Sequence, residues 1–148
     1  MGFDLEVIHH SQFISEQINE GSIKPKKKIN DDYTFHDACY VGRHHGEYDA
    51  PRYVLQSVLS DEAKVVEMPR NKDQSFCCGA GGGNMWYEIK KGKRINIERF
   101  EEAVETGVKK VATSCNFCMI MMEDAKKVTG HDKDCLLYTS PSPRDERL

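Results

Sequence analysis

Cys77 and Cys78 stand side by side, and four of the next five residues are glycine, in the run Ser75-Phe76-Cys77-Cys78-Gly79-Ala80-Gly81-Gly82-Gly83-Asn84-Met85-Trp86. Such a segment excludes most regular structure, because each glycine costs about 1 kcal/mol in a helix interior and weakens a strand. An adjacent cysteine pair does not readily close on itself either. A disulfide wants Cα atoms at least about 4.4 Å apart in a set orientation, and neighbours across a trans peptide sit about 3.8 Å apart. Something other than packing has to justify the segment.

Two more cysteine groups flank it. Cys39 is separated from Cys77 by 37 residues, and Cys115-Asn116-Phe117-Cys118 follows Cys78 after 36. No basic region followed by an apolar core opens the chain, so no secretory signal is read, and clustered cysteines then point to a reducing compartment and to metal or redox chemistry. The 148 residues suit one domain with a real core, and a net charge of −3 leaves no electrostatic footprint for nucleic acid. No apolar run approaches the roughly 20 residues of a membrane span.

Patterning around the cysteines reads as strands alternating with helices. Phe3–Ile8 alternates loosely, as a strand end does, and Ser11 caps a short helix bearing Phe13, Ile14 and Ile18. Lys24–Lys28 is a charged, solvated loop. Asp32–His36 is a strand running toward Cys39, and Asp49 caps a helix with Pro51 in its first turn. Ala63–Met68 is a strand, Ile95–Thr106 an amphipathic helix, Lys110–Thr113 a strand that leads into Cys115, and Phe117–Val128 a last helix. The expected class is α/β: a small, mostly parallel sheet flanked by helices, with the cysteines at the C-terminal ends of strands. In an open α/β sheet those ends share one crevice, so three sequence-distant groups can converge there.

A structural zinc takes four ligands and so does a cubane four-iron cluster, and five thiols exceed either need. The glycines supply a further clue. Residues 79–83 let the backbone turn sharply and bring N–H groups close to a ligand, and hydrogen bonds to cluster sulfur raise its potential. A cluster uses such a cradle and a closed zinc site does not. A dithiol enzyme built on Cys115 and Cys118 alone leaves Cys39, Cys77, Cys78 and the glycine run without a role.

The segment from Cys135 to Leu148 lacks periodicity, and CLLYTSPSPRD within it resembles one translated frame of a common transposase-type sequencing adapter. Residues 135–148 are set apart as an artefactual or disordered tail, which removes Cys135 from the site and leaves 1–134 as the domain.

Three local motifs carry a family resemblance: Phe35-His36-Asp37-Ala38-Cys39-Tyr40-Val41-Gly42-Arg43, Phe76-Cys77-Cys78-Gly79-Ala80-Gly81-Gly82-Gly83, and Ala112-Thr113-Ser114-Cys115-Asn116-Phe117-Cys118. From about Phe3 to Val128 the chain resembles the cysteine-rich CCG domain. That domain occurs in heterodisulfide reductase and in the iron–sulfur subunits of glycerol-3-phosphate dehydrogenase, glycolate oxidase and lactate-utilisation complexes. GRHHGEYDAPR and GGGNMWYE further resemble membrane-associated iron–sulfur reductases that pair with electron-transfer flavoprotein. Ala38 stands where relatives often have proline, and no ligand is lost by that.

The resemblance implies a noncubane [4Fe-4S] cluster held by Cys39, Cys77, Cys78, Cys115 and Cys118, with Gly79, Gly81, Gly82, Gly83 and His36 as cofactor-binding residues and zinc as the alternative metal. It also implies one component of an oxidoreductase, transferring electrons or reducing a disulfide, and the C-terminal CCG copy of a longer protein. Its partners would be further iron–sulfur domains, a flavoprotein donor and a quinone or disulfide acceptor. Its location would be cytoplasmic, peripheral on the inner membrane face through missing parts.

His36, three residues before Cys39, is a candidate donor to a cluster thiolate, strand packing being its plainer role. Arg43 either offsets thiolate charge or is an ordinary surface arginine. His9-His10 and His44-His45 are read as surface or packing residues, and Trp86, Met119, Met121 and Met122 as core.

Overall fold

The computed structural model describes residues 4–87, 91–131 and, by backbone alone, 136–138. Strands β1 (Tyr33–His36), β2 (Val65–Val66), β3 (Lys110–Thr113) and β4 (Leu136–Tyr138) form one parallel sheet in the order β2-β1-β3-β4. Helices α1 (His10–Asn19), α2 (Asp49–Val58), α3 (Ile95–Glu105) and α4 (Asn116–Val128) flank it. Parallel neighbours need crossovers rather than hairpins. Helix α2 links β1 to β2, α3 lies between β2 and β3, and α4 between β3 and β4. The α/β class expected from the alternation is the one found.

Side-chain alternation distributes the core to two faces. Tyr33, Phe35 and Ala112 pack with Leu59 and with Leu55 of α2 on one side. On the other side Val111 packs with Phe100 and Ala103 of α3 and Met122 and Ala125 of α4. Coverage on both faces is the normal condition of a parallel sheet, and all four residues of β1 are buried. Helix α1 packs on α2 and α3 on α4.

The strand order reverses at β1, which has β2 on one side and β3 on the other. His36 and Thr113 are register partners, so β1 and β3 end at the same level. The crevice beyond paired ends at such a reversal is where open α/β sheets bind ligands. Cys39 and Cys115 emerge there directly from β1 and β3. Cys77 and Cys78 arrive from β2 by a longer loop that contains one 3-10 turn, Lys72–Gln74.

The structure departs from the sequence reading in several places. Residues 4–8 form no strand, and Leu5 and Val7 are exposed, so loose alternation without a pairing partner does not suffice; Phe3 lies outside the described residues. Helix α1 is capped by His9 rather than Ser11, through a capping box with Gln12. The cap of α2 is Tyr48, one residue before Asp49, and the strand read over Ala63–Met68 shrinks to two residues. Trp86 is 81% exposed, not core. It ends a short helical segment, Gly81–Trp86, whose Gly82 and Gly83 take positive φ and turn the chain outward. The sheet also takes in Leu136–Tyr138, inside the segment set aside as a tail. Leu-Leu-Tyr is a β-prone tripeptide, and the free edge of β3 offers it a ladder. Cys135 lies outside the described residues.

Gly79 is constrained by both its backbone and its neighbours. Gly79 has φ +86°, and a Cβ there would stand 3.2 Å from Ile95 Cβ and 3.3 Å from the Asn96 backbone nitrogen. Gly79→Ala is expected to cost about 2 kcal/mol, from the left-handed backbone and the overpacking together. Urea unfolding checks this, and an unchanged midpoint would show that the loop shifts freely.

Candidate metal centre

The five cysteines Cys39, Cys77, Cys78, Cys115 and Cys118 are all free thiols. Cys78 and Cys118 are buried with Ala38, Val41 and Met121, and Cys115, Ala80 and Met85 pack against that cluster. A narrow recess, partly open to solvent, is lined by Cys39, Cys77, Cys78 and Cys118 together with His36 and Arg43. A ring nitrogen of His36 and the sulfurs of Cys78 and Cys118 lie within 4.8 Å of one another. The chain's three cysteine groups thus meet at the reversal point of the sheet.

The sulfurs communicate in sequence. Cys78 is the hub: hydrogen bonding from Cys118 and then Cys77 draws its thiol well below the usual range, burial opposes, and His36 and the Ala80 N–H add to the drop. The donors respond in kind. Hydrogen bonding to Cys115 and to Cys78 pushes the Cys118 thiol up, and hydrogen bonding to Cys78 does the same to Cys77. Cys115 is drawn down to about 6, chiefly by Cys118, against burial and with help from the Cys118 and Phe117 N–H groups. Those N–H groups belong to the first turn of α4, whose N-terminus favours negative charge at its cap residue. Cys39 stands at the edge of this network, coupled to Cys77 through charge.

Backbone donors come from the start of the glycine run. Gly79 N–H donates to Cys77 Sγ at 3.2 Å, and Ala80 N–H acts on Cys78. Gly81, Gly82 and Gly83 are exposed, with open space where a Cβ would sit at Gly81 and Gly83. His36 is 1% exposed and bound to Arg99. Arg43 donates from Nη2 to the Ser75 carbonyl at 2.7 Å, tying the recess wall to the loop before Cys77. His44 and His45 are exposed, His10 is exposed and His9 half-buried, in keeping with surface and packing roles. Met121 and Met122 are buried and Met119 packs on the core.

Residues 33–123 match the CCG cysteine-rich domain. The chain belongs to that family. This CCG chain is 38% identical over 137 residues to a probable iron–sulfur-binding oxidoreductase, FadF, of Bacillus subtilis, covering 93% of this chain and 19% of that protein. It is 39% identical over 145 residues to an EtfAB:quinone oxidoreductase of Syntrophomonas wolfei, covering 93% and 20%. It is 38% identical over 132 residues to one component of the dihydromethanophenazine:CoB–CoM heterodisulfide reductase of Methanosarcina barkeri, covering 86% and 31%. The chain therefore spans between a fifth and a third of the length of these relatives. No solved structure matches it.

The donor set fits an iron–sulfur group. Thiolates are the soft ligands that such clusters take, and the group of three that closes most tightly contains no carboxylate. Sequence reasoning missed one contributor, Arg99, whereas the Ala80 N–H lies within the 79–83 run expected to bring backbone donors to a ligand. Arg99 carries a weak signal, as a cation one residue before the core residue Phe100 on an amphipathic helix.

Proposed function

We propose that this CCG domain is the iron–sulfur electron-transfer module of a larger oxidoreductase, with Cys39, Cys77, Cys78, Cys115 and Cys118 holding a noncubane [4Fe-4S] cluster. The observation that carries the reading is the meeting of five free thiols from three distant segments around one crevice, with backbone N–H groups directed at sulfur. A bound cluster supplies reversible one-electron storage. The chain's own residues do the rest. Cys78 and Cys118 exclude water by burial, the α4 N-terminus and the Gly79 and Ala80 N–H groups stabilise thiolate charge, and Cys39, joined to the other sulfurs through charge on Cys77, would be the thiolate able to detach and admit a substrate sulfur.

Residues 1–134 are the CCG-type unit of a longer protein in this reading. The relatives' names support a quinone or a disulfide as acceptor, and the same reading takes a flavoprotein as electron donor and further iron–sulfur domains as neighbours. Among the described residues no helix is long and apolar enough to cross a membrane; a peripheral place on the inner face, through other parts of the protein, is part of the same proposal.

Anaerobic reconstitution with iron, sulfide and zinc all present tests the proposal. About four irons and four sulfides per chain, with visible absorption, are expected. About one zinc and no sulfide would make this a structural metal domain and end the redox reading.

A further inference from the structure

Among the described residues Arg99 is the one arginine whose side chain is fully buried, and it sits beneath the cysteine cluster on α3. Its Nε–H donates to His36 Nδ1 at 2.9 Å. Its Nη1 donates to the Arg70 carbonyl at 2.8 Å and to Glu102 Oε2 at 2.5 Å, and its Nη2 to Ser75 Oγ at 3.3 Å. Glu102 in turn pairs with Arg70. A guanidinium only donates, so the bond to His36 has one direction: Nδ1 is the acceptor. The ring proton of His36 is then on Nε2, and the ring faces Cys78, with a nitrogen within 4.8 Å of that sulfur and of Cys118.

This arrangement reverses the one that metal-bound histidines show. A ligating histidine gives its second ring N–H to a carboxylate or carbonyl, which leaves the first nitrogen free to coordinate. His36 receives a proton donor at its second nitrogen, so its first nitrogen carries hydrogen and cannot coordinate. We propose that Arg99 is a positioning residue of the site: it locks the tautomer of His36, making the imidazole a fixed N–H donor to the Cys78 sulfur and barring it from ligating metal. The role toward a bound cluster rests on the iron–sulfur reading above; the tautomer does not. A donor to ligand sulfur raises the reduction potential, so the lock acts on the potential rather than on cluster content.

Two measurements on the 148-residue chain test this. Two-bond proton–nitrogen NMR of the metal-free protein reads the His36 tautomer directly. A protonated Nε2 with a bare Nδ1 is expected, and a protonated Nδ1, or a mixture, overturns the assignment whether or not any cluster forms. The second compares reconstituted Arg99→Met, His36→Leu and His36→Gln with the wild type for iron content and midpoint potential. Gln keeps an acceptor toward Arg99 and an N–H donor toward Cys78. Wild-type iron content in all three is expected, with the potential lowered in Arg99→Met and His36→Leu and restored in His36→Gln. Equal potentials in the two histidine variants overturn the donor role, and they do so even if Arg99→Met fails to fold. A wild-type chain that takes up no iron refutes the cluster reading instead and leaves the NMR result to decide the tautomer.

Discussion

Cys78→Ser is expected to cost the reconstituted chain its iron, while Cys39→Ser keeps most of it with an altered visible spectrum. The difference follows from where the two sulfurs sit. Cys78 is 4% exposed and is the point at which Cys77, Cys118, His36 and the Ala80 N–H converge. A serine oxygen there is a harder donor on a shorter bond, and the surrounding donors, placed for sulfur, cannot follow it inward. Replacing Cys78 removes a ligand itself together with the point on which those donors converge. Cys39 is half-exposed, caps the π-helical segment Tyr40–His44, and touches the network through charge on Cys77. Four thiolates remain when it is removed, and four satisfy a cluster. Iron and sulfide analysis with visible spectra of all five single serine variants is the measurement. Equal losses and identical spectra at every position would remove the case for a detachable fifth thiolate.

The same contrast explains what is legible in the sequence. The positions of Cys39 and of Cys115-x-x-Cys118 can be read because each follows a stretch whose pattern is local: Tyr33–His36 and Lys110–Thr113 are strands within a residue of expectation, and so are helices α3 and α4 at their ends. Once strands are parallel, topology brings their ends together without further information. What stays hidden depends on contacts between elements. The burial of Arg99 is set by His36 on β1, the Arg70 carbonyl and Glu102, none of which marks Arg99 out in sequence. The π-helical turn after Cys39 needs Gly42 pressed against the Tyr48 ring, where any Cβ would collide. Trp86 reads as core by its type, and the left-handed glycines before it send it to solvent instead. At the start of α1 two adequate caps compete, and His9 prevails because Gln12 completes its box.

Arg52→Met is expected to destabilise the fold by about 3–5 kcal/mol, the usual cost of leaving a buried partner charge alone. Arg52 is 7% exposed and Asp37 6%. The guanidinium grips Asp37 with both arms at 2.7 and 2.9 Å, Glu67 at 2.6 and 2.8 Å, and the Tyr48 carbonyl at 2.9 Å. Burial is the largest single influence on its pKa and lowers it, but hydrogen bonds to Glu67 and Asp37 together outweigh burial and hold the group above the ordinary arginine value. Asp37 also accepts the Lys72 N–H at 2.8 Å, and Lys72 is the one non-glycine residue with positive φ, 53°, among the described residues. That bond fixes the turn from which the chain proceeds to Cys77 and Cys78. Removing Arg52 therefore frees a buried carboxylate directly after His36 and loosens the loop that delivers the central cysteines. A domain of this size has about 5–15 kcal/mol to lose, so the variant should unfold at a temperature lower by roughly 10 °C or more. Neutralising the stranded partner should recover part of the loss: Asp37→Asn with Arg52→Met is expected to be less destabilised than the two single changes added, by at least about 1 kcal/mol. Urea unfolding of the four proteins in that cycle decides it. Strict additivity would mean that Arg52 stabilises the fold through its packing and its hold on Glu67, with Asp37 left to anchor the cysteine loop on its own.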